Sequence, residues 1–151
     1  MNAYEYLEQV KKAGALIETK RAEERELWAL ATGMSQANDG MPHAPGVSDK
    51  IGNIIHKIIE AKNRTNEQID RYIDIRDDVI RHIEMLPRKQ YIVLHWLYVR
   101  KREHREKNQS WYYTWREAAE SIGCTEQNLS NIRKKAVRNL QKILDSEEKV
   151  D

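Results

Sequence analysis

Phenylalanine is absent from the 151 residues, cysteine occurs once, proline three times and glycine six times. A lone cysteine closes no internal disulfide and builds no cysteine-rich metal site, so a disulfide-stapled secreted domain is excluded and a reducing, cytoplasmic setting is expected. So few glycines and prolines cannot supply the tight turns of an all-β chain. No apolar run approaches the roughly 18 residues of a membrane-spanning helix. The opening MNAYEYLEQVKK, with two Glu and two Lys, is charged and amphipathic where a secretory leader would be apolar, so neither leader nor membrane partner is expected. What is present is charge, 33% of residues beside 40% hydrophobic, a balance suited to long exposed helices and too apolar for wholesale disorder.

That charge is unevenly placed. Residues 1–87 hold 12 basic and 15 acidic side chains, residues 88–144 hold 13 basic and 5 acidic, and residues 145–151 return to acidic with 4 against 1. A basic block between near-neutral flanks is the footprint of a module that binds a polyanion. A lysine- and arginine-rich solvated surface is the alternative.

Residues 3–33 read as one helix, with Ala3, Leu7, Val10, Ala13, Ile17, Leu27 and Ala31 at three- and four-residue spacing. The stretch 34–47, with Gly40, Pro42, Pro45 and Gly46, reads as a mobile loop. Ser48 is a candidate cap for a second helix running to residue 86. Along it Ile51, Ile55, Ile58, Lys62, Thr65, Ile69, Tyr72, Arg76, Val79, Ile83 and Leu86 alternate steps of four and three, the period that keeps one seam facing a partner. Residues 1–86 are therefore expected to form a long antiparallel, coiled-coil-like hairpin, with homodimerisation through the long helix as a compatible second use of the seam.

Pro87 opens a helix over about 88–100 with Ile92, Val93, Leu94, Leu97 and Tyr98 as its apolar side. RKREHREKNQSWYY follows. It is either a solvated loop or a basic arm able to lie along phosphates through Arg100, Lys101, Arg102, Arg105 and Lys107. Thr114 and Glu117 have the spacing of a capping box, with Trp115, Ala118, Ala119 and Ile122 facing inward. Gly123 suits a left-handed turn, and Thr125 caps a helix on which Leu129, Ile132, Ala136, Val137, Leu140 and Ile143 repeat. Two helices joined by so short a turn describe a helix-turn-helix. The second helix turns Glu126, Gln127, Ser130 and Asn131 outward, groups that can pair with base edges, while Arg116, Arg133, Lys134, Lys135 and Arg138 are candidates for phosphates.

From Leu86 to Leu144 the chain resembles region 4 of the sigma-70 family. Leu86-Pro87, Val93-Leu94 and Tyr98 match its opening helix, Thr114-Trp115-x-Glu117-Ala118-Ala119 its second, and Thr125-x3-Leu129-x2-Ile132-x2-Lys135-Ala136-Val137-Arg138-x-Leu140 its recognition helix and continuation. With the long helical half before it, the whole is similar to phage-encoded regulators of the RinA/ArpU type found in prophages of Gram-positive bacteria. The resemblance implies late-gene transcription control in a bacterial host cell, double-stranded DNA as partner and RNA polymerase as a second candidate partner. The positions that read promoter bases in that family fall on Glu126, Gln127, Ser130 and Asn131. Their side chains differ from those of housekeeping sigma factors, so the family's promoter preference does not transfer. Leu97 stands where the family usually has an arginine, the link from Val99 to Tyr113 is longer than usual, and nothing corresponds to the promoter-melting region.

Catalytic constellations are not found in the sequence. No two of His43, His56, His82, His95 and His104 form an i, i+4 ligand pair, and there is no phosphate-cradling glycine loop or nucleophile elbow. Cys124 is expected as a small core group, and Tyr91, Trp96 and Trp115 as core aromatics. The reading is an all-α protein without catalytic residues, metal or cofactor: a helical hairpin over 1–86, a sigma region 4-like helix-turn-helix domain over 87–146 and an acidic tail over 147–151. Two other readings carry the same residues: a small terminase subunit for DNA packaging, and a coiled-coil adaptor of RNA polymerase that does not touch DNA.

Overall fold

The computed structural model describes residues 1–37 and 47–150. The protein is all-α. Helix α1 spans Ala3–Ala37, α2 Val47–Ile83, α3 Arg88–Leu94, α4 Trp115–Ile122 and α5 Glu126–Val150, and α3 runs on into a π-helical turn over His95–Val99. Among the described residues the only β-type pairing is an isolated antiparallel bridge between Lys101 and Tyr112. Both ends of the expected 34–47 loop are helical, and its centre, 38–46, lies outside the described residues.

Contacts divide the chain into two compact units, Met1–Ala13 with Tyr72–Asp151, and Gly14–Arg71. The division falls inside both long helices, not at residue 86. A domain of about 60 residues buries only about 60% of its unfolded surface and is short of core. Here Ala3, Tyr6, Leu7 and Val10 of α1 and Val79 and Ile83 of α2 join Val93, Leu94, Leu97, Leu129, Ala136 and Leu140 in one cluster. The π turn serves that cluster. With Arg100 N–H bonded to the His95 carbonyl at 2.8 Å, the widened turn lets three successive side chains, Leu97, Tyr98 and Val99, all point inward.

Polar contacts hold the chain's beginning to its end. The Ala3 amide donates to Gln141 Oε1 at 2.7 Å and the terminal ammonium pairs with Glu148 at 2.7 Å. The Tyr6 hydroxyl donates to Asp78 at 2.6 Å, and the buried His82 ring meets Glu147 at 2.5 Å. The His82 hydrogen bond holds the Glu147 carboxyl below its ordinary value. Residues 147–150, expected as a tail, are thus the last turn of α5: their carboxylates have partners on α2 and at the N-terminus.

In the Gly14–Arg71 unit, Ile17, Ile58, Ala61 and Thr65 are buried, and the Thr65 hydroxyl satisfies itself on the Ala61 carbonyl at 2.9 Å. The seam departs from strict heptads. Ala61 takes the inward place expected of Lys62, whose ammonium lies 5.5 Å from the Trp28 ring centre, and Ile55 is 46% exposed. A straight helix of 3.6 residues per turn drifts about 20° per heptad from a 3.5 repeat, which carries seam positions to the surface.

Candidate nucleic-acid interface

Local chemistry sets the α4–α5 turn. Thr114 Oγ1 accepts the Glu117 amide at 3.2 Å while Glu117 Oε1 accepts the Thr114 amide at 3.1 Å, a complete capping box at the start of α4. Gly123 ends α4 at φ 85°, and its N–H and that of Cys124 both reach the Ala119 carbonyl, at 2.9 and 3.0 Å. Thr125 Oγ1 then accepts the Asn128 amide at 3.1 Å, capping α5. Ala118 and Ala119 are buried where α4 packs on α5, and α3 packs on α5 as well. Leu129, Ala136 and Leu140 are fully buried, so one side of α5 is fixed. Ile122, Cys124 and Ile132 are half-buried against the same core. Trp115 is the exception among the expected core residues. It is 38% exposed, because it is the first residue of α4 and its ring faces Arg133.

The opposite side of α5 is open. Gln127, Asn131, Lys134 and Arg138 are exposed and follow one another at steps of four, three and four, a single stripe of the helix. Gln127 Nε2 donates to Asn131 Oδ1 at 3.4 Å, which aligns the two amides. Glu126 and Lys135 are exposed on its two flanks, and Ser130 is half-buried. Arg116 on α4 is also exposed, loosely paired with Glu120 at 3.6 Å. Amides thus lie toward the N-terminal end and cations further along.

Arg133 has a different setting from the other cations. It is half-buried, donates Nε–H to the Tyr98 hydroxyl at 2.8 Å, and its guanidinium lies 4.7 Å from the Tyr4 ring centre and 4.9 Å from that of Trp115. It ties α1, the π turn and α4 to α5. Lys11 lies beneath the same cluster, 5.1 Å from the Tyr98 ring centre, and burial pulls its ammonium below the ordinary value. Burial likewise pushes the Tyr98 phenol up, against the pull of the Arg133 hydrogen bond.

The basic stretch after the π turn is folded. Arg102 N–H bonds the Trp111 carbonyl at 2.7 Å beside the Lys101–Tyr112 bridge, and Asn108, at φ 67°, turns the tip. Arg102 sets both Nη groups against the two Glu117 oxygens at 2.5 Å and donates Nε–H to the Ser110 carbonyl. Its hydrogen bonds, with that of the Thr114 amide, draw the Glu117 carboxyl down to about 2. Arg100, Arg105 and Lys107 are exposed and Lys101 is half-buried, 5.6 Å from the Trp111 ring centre. The basic run ending in Trp111, Tyr112 and Tyr113 is visible in the sequence; the Glu117 anchor, fifteen residues from Arg102, carries no local signal.

Among the described residues no group of three His, Cys, Asp or Glu side chains could hold a metal ion, and no helix is long and apolar enough to cross a membrane. Comparison with protein-family models, curated proteins and solved structures finds no match to this chain.

Proposed function

We propose that this protein is a sequence-specific, DNA-binding transcriptional regulator of phage or prophage late genes. In this reading α4, the Gly123 turn and α5 work as a helix-turn-helix of the sigma region 4 type, and α5 enters the major groove. The two long helices form an antiparallel hairpin that serves as scaffold. One observation carries the reading: Gln127, Asn131, Lys134 and Arg138 line an open stripe of a helix whose other side is locked into the core. Gln127 and Asn131 then meet base edges, flanked by Glu126 and Ser130, while Arg116, Lys134, Lys135 and Arg138 take phosphates. Arg133, held by Tyr98, sets the pitch of α5 against α4 rather than gripping the backbone.

Selection of bound duplexes from a random pool supplies the site, and Asn131→Ala tests the reader. The expected outcome is a loss of about 1–3 kcal/mol of discrimination between selected and random duplex. Equal losses on both duplexes remove the base-reading role, and no salt-sensitive binding to any duplex removes the whole reading.

A second reading rests on a separate observation. Trp28, Leu30, Ile55 and Ile59 of the Gly14–Arg71 unit are 46–58% exposed, which favours docking of a second copy or of RNA polymerase. Native mass separates the cases: a ring of about eight or more copies fits a packaging subunit, a monomer or dimer the regulator.

A further inference from the structure

The arm between the π turn and α4 contains more organised cation chemistry than a connection needs. The Arg100 guanidinium lies 4.0 Å from the Trp96 ring centre, Trp96 meets Tyr113 edge-on at 5.0 Å, and Arg102 lies 4.8 Å from Tyr113. Arg102 is in turn forked onto Glu117 in the first turn of α4. This ladder of two rings between two cations ends on a helix that packs directly against α5. Arg105 adds a second rung, 5.3 Å from Trp111. One side of the arm forms an open pocket of about 570 Å³ lined by Arg100, Lys101, Arg102, Glu103, His104 and Tyr113.

These groups have unequal parts. The Arg102 side chain is 8% exposed and its charge is answered by Glu117, so it is a positioning residue that holds the arm on α4. Arg100, Arg105 and Lys107 are exposed, and a guanidinium stacked on a ring through its face keeps edge N–H groups for an anion, Arg105 giving one of its own to the Gln109 carbonyl at 3.2 Å. Glu103 on the rim disfavours a site for a compact, multiply charged anion, whereas a phosphodiester carries one negative charge per group. The arm also leads into the contacts that hold α5, because Trp115, two residues past its end, lies against the Arg133 guanidinium.

We infer that the pocketed side of the 100–113 arm is a phosphodiester-binding site that holds the backbone of duplex DNA flanking the groove taken by α5. This rests on the DNA-binding reading above and adds a second, sequence-independent contact to it. Pre-stacking lowers the ordering cost of the side chains, so the arm contributes affinity without restricting sequence.

The test is the salt dependence of duplex binding by the full-length protein, wild type and the Arg100→Ala/Arg105→Ala double variant, with Arg100→Lys/Arg105→Lys as the charge-preserving control. The alanine variant is expected to bind selected and random duplexes each about 3–10-fold more weakly per cation near 0.15 M salt, and to lose about one unit of salt slope per cation. The lysine variant keeps the slope, and the Asn131→Ala effect persists in both backgrounds. Unchanged slope and affinity in the alanine variant, beside a wild type that binds DNA, overturn the arm site and leave the α5 reading standing. A wild type with no salt-sensitive binding overturns the α5 reading first. Pyrophosphate saturating the Arg100 and Arg105 side-chain signals at low micromolar concentration, with DNA affinity unaffected by the substitutions, would make this a small-anion site instead.

Discussion

Arg133 and Tyr98 meet across 35 residues of chain, the guanidinium Nε–H donating to the phenol oxygen at 2.8 Å. Tyr4 and Trp115 lie against the same guanidinium, so four segments of chain converge on one side chain. Arg133 points away from the stripe formed by Gln127, Asn131 and Lys134, although Asn131 and Lys134 are only two and one residues from it, because each step along a helix turns the side chain by about 100°.

Arg133→Ala is expected to cost about 2–3 kcal/mol of stability: roughly 1 for the hydrogen bond and about 0.5–1 for each of the two ring contacts. Arg133→Lys restores little, since an ammonium cannot donate through a fork and stack at the same time. Thermal or urea unfolding measures both. An unchanged midpoint combined with a reduced salt slope for DNA binding would reassign Arg133 to the phosphates.

The first ten residues belong to the core that supports α5. Leu7, like Leu129, is fully buried, in the same cluster. Leu7→Ala and Leu129→Ala are each expected to cost about 2–5 kcal/mol and to lower one shared unfolding transition, followed by near-UV circular dichroism. If Leu7→Ala melted a separate transition and left the α4–α5 signal intact, the N-terminal turns of α1 would not belong to that unit.

Lys134→Ala tests the open stripe from its cationic end. It should weaken binding to selected and random duplexes alike, and reduce the salt slope by about one unit, with no change in unfolding midpoint. Loss confined to the selected duplex would turn Lys134 into a base contact.

Local features could be read from the sequence and distant ones could not. The Thr114–Glu117 box, the Gly123 turn, the Thr125 cap and the buried Leu129–Ala136–Leu140 side each depend on residues a few positions apart, where backbone geometry leaves few choices. The Arg102 anchor on Glu117, the Arg133 tie to Tyr98 and the packing of Ala3 on Gln141 join residues 15, 35 and 138 apart. Nothing in a hydrophobic period specifies such pairs. The open stripe was legible because amphipathicity shows which side of a helix is not core. That Arg133 leaves it was not, since a guanidinium suits a phosphate or a pair of rings equally. The seam of α2 misled at Ile55 and Lys62 for a related reason: the apolar period is regular, but the drift of a straight helix decides which members face inward.

Gly123 isolates a backbone effect. At φ 85° it occupies the left-handed region, and an added Cβ would meet no atom within 4 Å. Gly123→Ala is therefore expected to cost about 1 kcal/mol through backbone strain alone, visible as a lowered unfolding midpoint with the α5 stripe still binding DNA once folded. A neutral substitution would mean that the turn relaxes to another conformation at no cost.

Acid should loosen the arm before it unfolds the core. The Arg102 fork, together with the Thr114 amide, holds the Glu117 carboxyl at about 2 against an ordinary 4.5. A carboxylate with a depressed folded value gives stability that is complete above the unfolded value and is lost as pH falls through the folded one. Glu117 therefore contributes fully above about pH 4.5, and its contribution declines between there and about pH 2. His95 acts in the same direction but at higher pH. Burial, then the nearby charges of Arg100 and Arg76, lower it below its ordinary 6.5, so protonation of the unfolded chain erodes stability as pH drops past that point. Amide exchange at Arg102 and Glu117, whose N–H groups bond Trp111 and Thr114, should accelerate below pH 4.5 relative to the Leu129 amide after correction for intrinsic rates. In Glu117→Gln the protection ratio between these sites should become flat from pH 5 to pH 2.5. A ratio in that variant that still falls as steeply as in the wild type would show that the Arg102–Glu117 fork does not hold the arm to α4.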